Sequence, residues 1–348
     1  MSHTFSLQQL GWRPSFAQRL TTEDLERGYP ARVSAVHRSG PTVLSERGEA
    51  SALSPRFDTP ITVGDWLLIE HDAPRPFKLV ERQSLIGRLA AGIETKPQPI
   101  AANLDTVFVV TSCDEDFSLS RLERYLAVVH AAHVEPVVVL TKADLCADVD
   151  NRLADVAIIA PTVQAVAIDA TTSVSRAALE PWLSSGQTVA LIGSSGVGKS
   201  TLINSLIGHP TQLTGAVRES DHRGKHTTTA RELISMSCGA WLVDTPGMRE
   251  LKIGSVENGV RTTFGDVESL AHSCRFRDCT HQGDAGCAVA AAIASGALDA
   301  RRLANYVKLQ REALHATRSV HERHAAERKF GRMHKAIKEQ LRRRKDRS

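Results

Sequence analysis

The stretch GSSGVGKS, Gly193 to Ser200, constrains this chain more than any other. It has the spacing Gly-x-x-x-x-Gly-Lys-Ser, follows the apolar run TVALI and opens the helix-like STLINSLI. A strand, a glycine-rich turn and a helix in that order make an anion cradle. Glycine lets successive backbone N–H groups curl around a phosphate, and the helix N-terminus adds its positive end. Gly193, Ser194, Ser195, Gly196, Val197 and Gly198 are therefore expected to wrap a nucleotide's phosphates. Lys199 should reach the β- and γ-phosphates, Ser200 should ligate Mg²⁺, and Thr201 should lie near the α-phosphate. The loop alone would serve a GTPase, an ATPase or a kinase.

Three further segments narrow the choice. LVDTPG ends an apolar run with Asp244, placed to hold Mg²⁺ through water, and Gly247 can offer its N–H to the γ-phosphate. GKHTTTARELI, residues 224–234, lies between the phosphate loop and Asp244, where a switch loop belongs; Thr228 or Thr229 would complete the Mg²⁺ shell. The third, LTKADL, residues 140–145, precedes the phosphate loop and follows the buried-strand pattern VEPVVVL. There Asp144 can accept hydrogen bonds from guanine N1–H and N2–H₂, which adenine does not offer. Lys142 can lay its stem over the base, and Thr141 stands where an asparagine is usual. AIDAT then reads as a second base loop, with the Ala170 N–H facing the guanine O6. Base loops come first and phosphate loops second, an order that a cut and rejoined surface connection produces without dismantling a packed sheet.

The rest of the chain reads as flanking domains. Residues 1–29 form an extension whose one clear signal is a short helix near TTEDLERG. Residues 30–82 hold short, partly alternating stretches between Gly, Pro and charged turns, the pattern of a small all-β barrel whose size fits an oligonucleotide-binding (OB) type. QSLIGRLAAGIETKPQPIAAN reads as a connection. Residues 95–255 alternate apolar runs with helical patterns, which indicates a parallel sheet covered on both faces; LDTVFVVTS, ADVAIIA and VQAVAIDA are among the runs. Residues 256–348 read as helices ending in a basic tail. From Arg301 onward 16 Lys or Arg face 5 Asp or Glu, a local charge of +11 that leaves the first 300 residues at −7 within the overall +4. A basic end on an acidic protein points to a polyanion, nucleic acid before membrane. No apolar run is long enough to span a bilayer, and the start carries no secretory pattern, so a cytoplasmic location is expected.

In CRFRDCTHQGDAGC, Cys274, Cys279, His281 and Cys287 offer three thiolates and an imidazole. Four such donors suit a closed structural Zn²⁺ site that staples a small helical domain.

Together, TKAD, GSSGVGKSTLIN, GKHTTT, DTPG and the cysteine cluster resemble the ribosome small-subunit-dependent GTPase A (RsgA) family of circularly permuted GTPases, over nearly the whole chain. The resemblance implies a multidomain fold: an OB-type barrel, a permuted α/β P-loop GTPase domain and a helical zinc-binding C-terminal domain. It implies GTP hydrolysis to GDP and phosphate, stimulated by the small ribosomal subunit (30S), in late maturation of that subunit, with binding to its rRNA. By the same likeness Lys142 and Asp144 read guanine, Lys199, Asp244, Gly247 and Thr228 act at the phosphates, and His226 positions water. Met248 follows DTPG where many small GTPases place a water-orienting glutamine, so weak activity alone is expected. A monomer is expected, with no membrane partner. Competing readings are a GTPase of tRNA modification or membrane transport, a nucleotide-gated RNA-binding module with negligible turnover, and an ATP-dependent kinase.

Overall fold

A computed structural model describes residues 4–89, 97–172, 177–207, 231–244, 256–281 and 284–317. Helix α1 (Pro14–Ala17) and helix α2 (Thr22–Arg27) come first. Thr21 caps α2: its hydroxyl accepts from the Asp24 N–H while the Asp24 carboxylate accepts from the Thr21 N–H. Antiparallel strands follow: β1 (Gly28–His37), β2 (Gly40–Ser45), β3 (Gly48–Ser51), β4 (Trp66–Glu70) and β5 (Pro76–Leu79). β1 pairs with both β2 and β4, β2 with β3, and β4 with β5. The segment expected as a plain connection contains a hairpin instead, β6 (Leu85–Leu89) against β7 (Pro97–Ala102). The proline and glycine that made it look irregular sit at a register shift and on a two-stranded edge, where both are tolerated.

The next strands are β8 (Thr106–Ser112), β9 (Glu135–Thr141), β10 (Gln164–Ala167), β11 (Thr188–Ile192), β12 (Glu232–Ser235) and β13 (Trp241–Asp244). They lie in the order β10-β9-β8-β11-β13-β12, all parallel except β12. β11, which leads into GSSGVGKS, thus lies between a strand that precedes it in the chain and one that follows. Successive residues point to opposite faces. Val107, Val109, Val138, Leu140, Ala190 and Ile192 enter one apolar cluster, and Phe108, Val110, Val137, Val139, Val189 and Leu191 enter another. Both faces are covered, which is why these runs are continuously apolar, and each buried Val, Leu, Ile or Phe among them contributes about 1.5–3 kcal/mol by leaving water.

Helices of this part include α3 (Leu119–Ala131), α4 (Val149–Ile159) and α5 (Lys199–Ile207). ADVAIIA, grouped above with the strand-like runs, belongs to α4, where Val156 and Ile159 are buried at helical spacing while Ile158 is exposed. The last described helices are α6 (Glu257–Thr263), α7 (Gly265–His272), α8 (Ala288–Ala294) and α9 (Ala300–Thr317). Among the described residues no helix is long and apolar enough to cross a membrane.

Two buried polar networks join these parts. Arg32 on β1 is 1% exposed and donates to the Leu10 carbonyl (2.6 Å), the Asn103 carbonyl (3.3 Å) and Thr188 Oγ1 (2.8 Å). Burial pulls its pKa down to about 10, with the Asp105 charge opposing. The N-terminal extension, nearly silent in sequence, is part of this joint. Trp12 meets Trp66 edge-on at 4.8 Å, Trp241 Nε1 donates to the Gln9 carbonyl (2.7 Å), and Arg13 pairs with Asp105. On the other side Glu123 of α3 is wholly buried and accepts from Arg301, Arg302 (2.9 Å) and Asn305 (2.5 Å) of α9. Arg302 also reaches Asp266 of α7 (2.6 Å). Gly259 of α6 lies so close to α3 that a Cβ there would come within 1.9 Å of the Ala127 carbonyl oxygen.

Candidate functional site

The carboxyl ends of β8, β9, β10, β11 and β13 share one edge of the sheet, where open α/β folds place their ligands. Gly193 leaves β11 at φ 151°, and a Cβ there would stand 2.1 Å from the Val110 carbonyl oxygen. Only glycine fits that crossing. Lys199 opens α5 and donates back to the carbonyl oxygens of Gly193 (2.8 Å) and Ser194. Ser195, Gly196, Ser200 and Thr201 are exposed along the edge, and Val197 is buried beneath it.

TKAD meets this loop from β9. Thr141 is wholly buried and its hydroxyl donates to the Val197 carbonyl (2.6 Å), with the Thr111 carbonyl at 3.3 Å. The threonine thereby ties the two loops that are 56 residues apart in sequence. Lys142 has left-handed backbone at φ 57°, which turns the chain into the 3₁₀ turn Ala143–Leu145. That turn holds Asp144 exposed, its carboxylate without a hydrogen bond or ion pair among the described residues. The Ala143 N–H donates to the Ile168 carbonyl (3.2 Å), and Asp169 Oδ1 accepts from the Thr171 N–H (2.9 Å) and hydroxyl (2.6 Å). Ala170 is buried inside that turn, beside the TKAD loop. Asp244 ends β13 exposed, opposite Glu232 in register. His226, Thr228, Thr229, Gly247 and Met248 lie outside the described residues.

Sequence reading passed over three neighbours of this edge. Lys142 Nζ is 2.6 Å from Asp114 Oδ2, while Ser112 Oγ donates to Asp114 Oδ1 at 2.5 Å. These contacts, Lys142 first, hold the Asp114 carboxyl down at about 2. Tyr125 of α3 places its hydroxyl 3.4 Å from Ser194 Oγ. The signal in CDED was an acid two residues past a buried strand, but a run of acids reads equally as a solvated turn.

The second cluster is at the C-terminal helices. Donor atoms of Cys274, Cys279, His281 and Cys287 all lie within 4.8 Å of one another. Cys274 Sγ is 3.6 Å and Cys287 Sγ 3.5 Å from His281 Nδ1, and the two sulfurs are 3.9 Å apart. Four donors arranged tetrahedrally at Zn–S of about 2.3 Å stand about 3.8 Å apart, so this set fits such an ion. Asp284 fastens the turn between ligands by accepting from the Thr280 N–H (2.8 Å) and hydroxyl (2.9 Å).

Comparison with known proteins agrees with this layout. The family model described as RsgA GTPase matches residues 79–254, and a model described as ABC transporter matches residues 179–333, a span that includes the phosphate loop. The small ribosomal subunit biogenesis GTPase RsgA 2 of Vibrio vulnificus is 48% identical, across 97% of this chain and 96% of its own. RsgA of Mesorhizobium japonicum is 43% identical, across 90% of this chain and 91% of its own. Among solved structures, YjeQ from Thermotoga maritima superposes with a TM-score of 0.59 at 26% identity, covering 82% of this chain and 98% of that one. YloQ, titled a circularly permuted GTPase, superposes with a TM-score of 0.59 at 24% identity, covering 84% of this chain and 96% of its own, a likeness of fold. With a model matched over half its length and relatives this similar along nearly all of it, the chain belongs to the RsgA GTPase family.

Proposed function

We propose that this chain hydrolyses GTP to GDP and phosphate in late maturation of the small ribosomal subunit, that the 30S subunit stimulates it, and that it binds the subunit's rRNA. The observation that carries the reading is the Thr141–Val197 hydrogen bond of 2.6 Å, which holds a guanine-type loop against a phosphate loop. In this reading Asp144 and Lys142 select the base, with the Ala170 N–H at O6, and residues Gly193–Gly198 cradle the phosphates. Thr201 lies by the α-phosphate. Water attacks the γ-phosphate while Lys199 and backbone N–H groups, that of Gly247 among them, stabilise the charge on the transferred group. Ser200 and Asp244, with Thr228 or Thr229, offer the hard oxygen donors that Mg²⁺ takes, and the bound ion would neutralise charge on the β- and γ-phosphate oxygens. His226 orients the water in place of the side chain that Met248 cannot supply.

The outer parts bring the substrate of the maturation step. We assign residues 1–29 to an extension, 30–82 to an OB-type RNA-binding barrel, 95–255 to the permuted GTPase domain and 256–348 to a zinc-binding helical domain with a basic tail. The antiparallel β1–β5 support the barrel. Cys274, Cys279, His281 and Cys287 would hold one Zn²⁺, a support for the C-terminal helices whose basic residues meet phosphates. The acting species is a cytoplasmic monomer. Phosphate release from GTP, measured with 30S subunits, 50S subunits and naked RNA, tests the proposal. A clear increase with 30S alone is expected; an equal response to all three, or none, would sink it.

A further inference from the structure

Lys142 and Asp144 carry opposite charges two residues apart in one tight turn. Left to themselves they would attract one another, and a carboxylate engaged by an ammonium is a poorer acceptor for a base edge. The structure shows a different pairing. Lys142 Nζ goes to Asp114, at 2.6 Å, on the neighbouring strand's exit, and Asp144 keeps its carboxylate unpaired among the described residues. Asp114 is fixed for this task. Its Oδ1 accepts from Ser112 Oγ (2.5 Å) and the Asp116 N–H (3.0 Å), leaving Oδ2 for the lysine. Its backbone is fixed as well, since Ser112 is opposite Thr141 in the β8–β9 register and the Cys113 N–H donates to the Thr141 carbonyl (2.9 Å).

We propose that Asp114 is a positioning residue for guanine selectivity: it draws the Lys142 charge to the β8 side and so keeps Asp144 free to read the base. This rests on the reading of TKAD as the guanine loop. An ordinary half-exposed ion pair would add little to anything. Here the pair decides which of two carboxylates the lysine occupies, and the effect is therefore on selectivity rather than on stability. Asp144 accepts from guanine N1–H and N2–H₂, and inosine lacks the second of these donors. Freeing Asp144 accordingly matters more for GDP than for IDP.

The test is the ratio of GDP to IDP affinity in the full-length chain, by titration calorimetry, for wild type, Asp114→Asn and Ser112→Ala. Asp114→Asn is expected to weaken GDP roughly tenfold and IDP about threefold or less, on the scale of one charged hydrogen bond lost at the 2-amino group. Ser112→Ala should shift the ratio in the same direction by less, and Lys142→Met should remove most of the effect of Asp114→Asn in the double variant. Equal weakening of GDP and IDP, or an unchanged ratio in a variant that melts like wild type, overturns the role of Asp114. Wild type that fails to prefer GDP over ADP overturns instead the reading of the loop itself.

Discussion

The Thr141 hydroxyl donates to the Val197 carbonyl at 2.6 Å, and this bond lets a threonine stand where an asparagine is usual. An asparagine could make several contacts from one amide; the threonine makes the one that clamps base loop to phosphate loop. Thr141→Ala should leave that buried carbonyl unpaired at a cost of about 1–3 kcal/mol. GDP and GTP should both bind roughly five- to tenfold more weakly, with kcat at saturation little changed, as fluorescent-nucleotide titration and turnover assays would show.

Glu123 holds the C-terminal helices to α3 through Arg301, Arg302 and Asn305, with none of its surface exposed. Replacing it by alanine strands Arg302 without its inner carboxylate. Loss of one partner from a buried pair costs about 3–5 kcal/mol, so the urea midpoint of Glu123→Ala should fall sharply. Asp266→Ala, at the more exposed side of the same arginine, should cost clearly less.

His130, on α3, meets Thr263 Oγ1 at 2.9 Å, and burial holds its pKa below the ordinary 6.5. The unfolded chain takes up this proton near 6.5 and the folded chain only at lower pH. Stability tied to His130 is thus present above that value and is lost as the pH falls through the window beneath it. Melting temperatures measured from about pH 5.5 to 7.5 should rise more steeply for wild type than for His130→Gln.

The cysteine cluster should yield about one zinc per chain by mass-spectrometric metal analysis. Cys279→Ser should lower that content, and chelation under mild denaturant should lower the melting temperature, since ligand binding there is folding energy for α7 and α8. Zinc content near zero in the purified native protein would contradict the assignment.

What sequence revealed and what it hid divide along physical lines. GSSGVGKS, TKAD and the strands around them are local signals, since strand periodicity and glycine-rich turns are written in consecutive residues. Their meeting at one sheet edge follows once the order β9-β8-β11 is known. Asp114 and Tyr125 were illegible because their meaning lies in partners far away in the chain, Lys142 and Ser194. The same holds for the extension: nothing local to Trp12 and Phe16 shows that both rings pack against Trp66, far along the chain, and the contact is visible only in the fold. ADVAIIA misled for a different reason, since a short apolar run has no period long enough to separate a strand from a buried helix.

The pairing of Ala35 on β1 with Glu232 on β12 bears on how this protein can be cut. It makes the N-terminal strands and the nucleotide-binding strands one continuous sheet rather than beads on a string. A shortened chain that begins after residue 82 would lose the strand that pairs with β12 and bare the outer backbone groups at Glu232. Such a raw edge is a template for joining strands from other molecules. The outermost unit is thus also the seal that keeps the central sheet from growing into its neighbours.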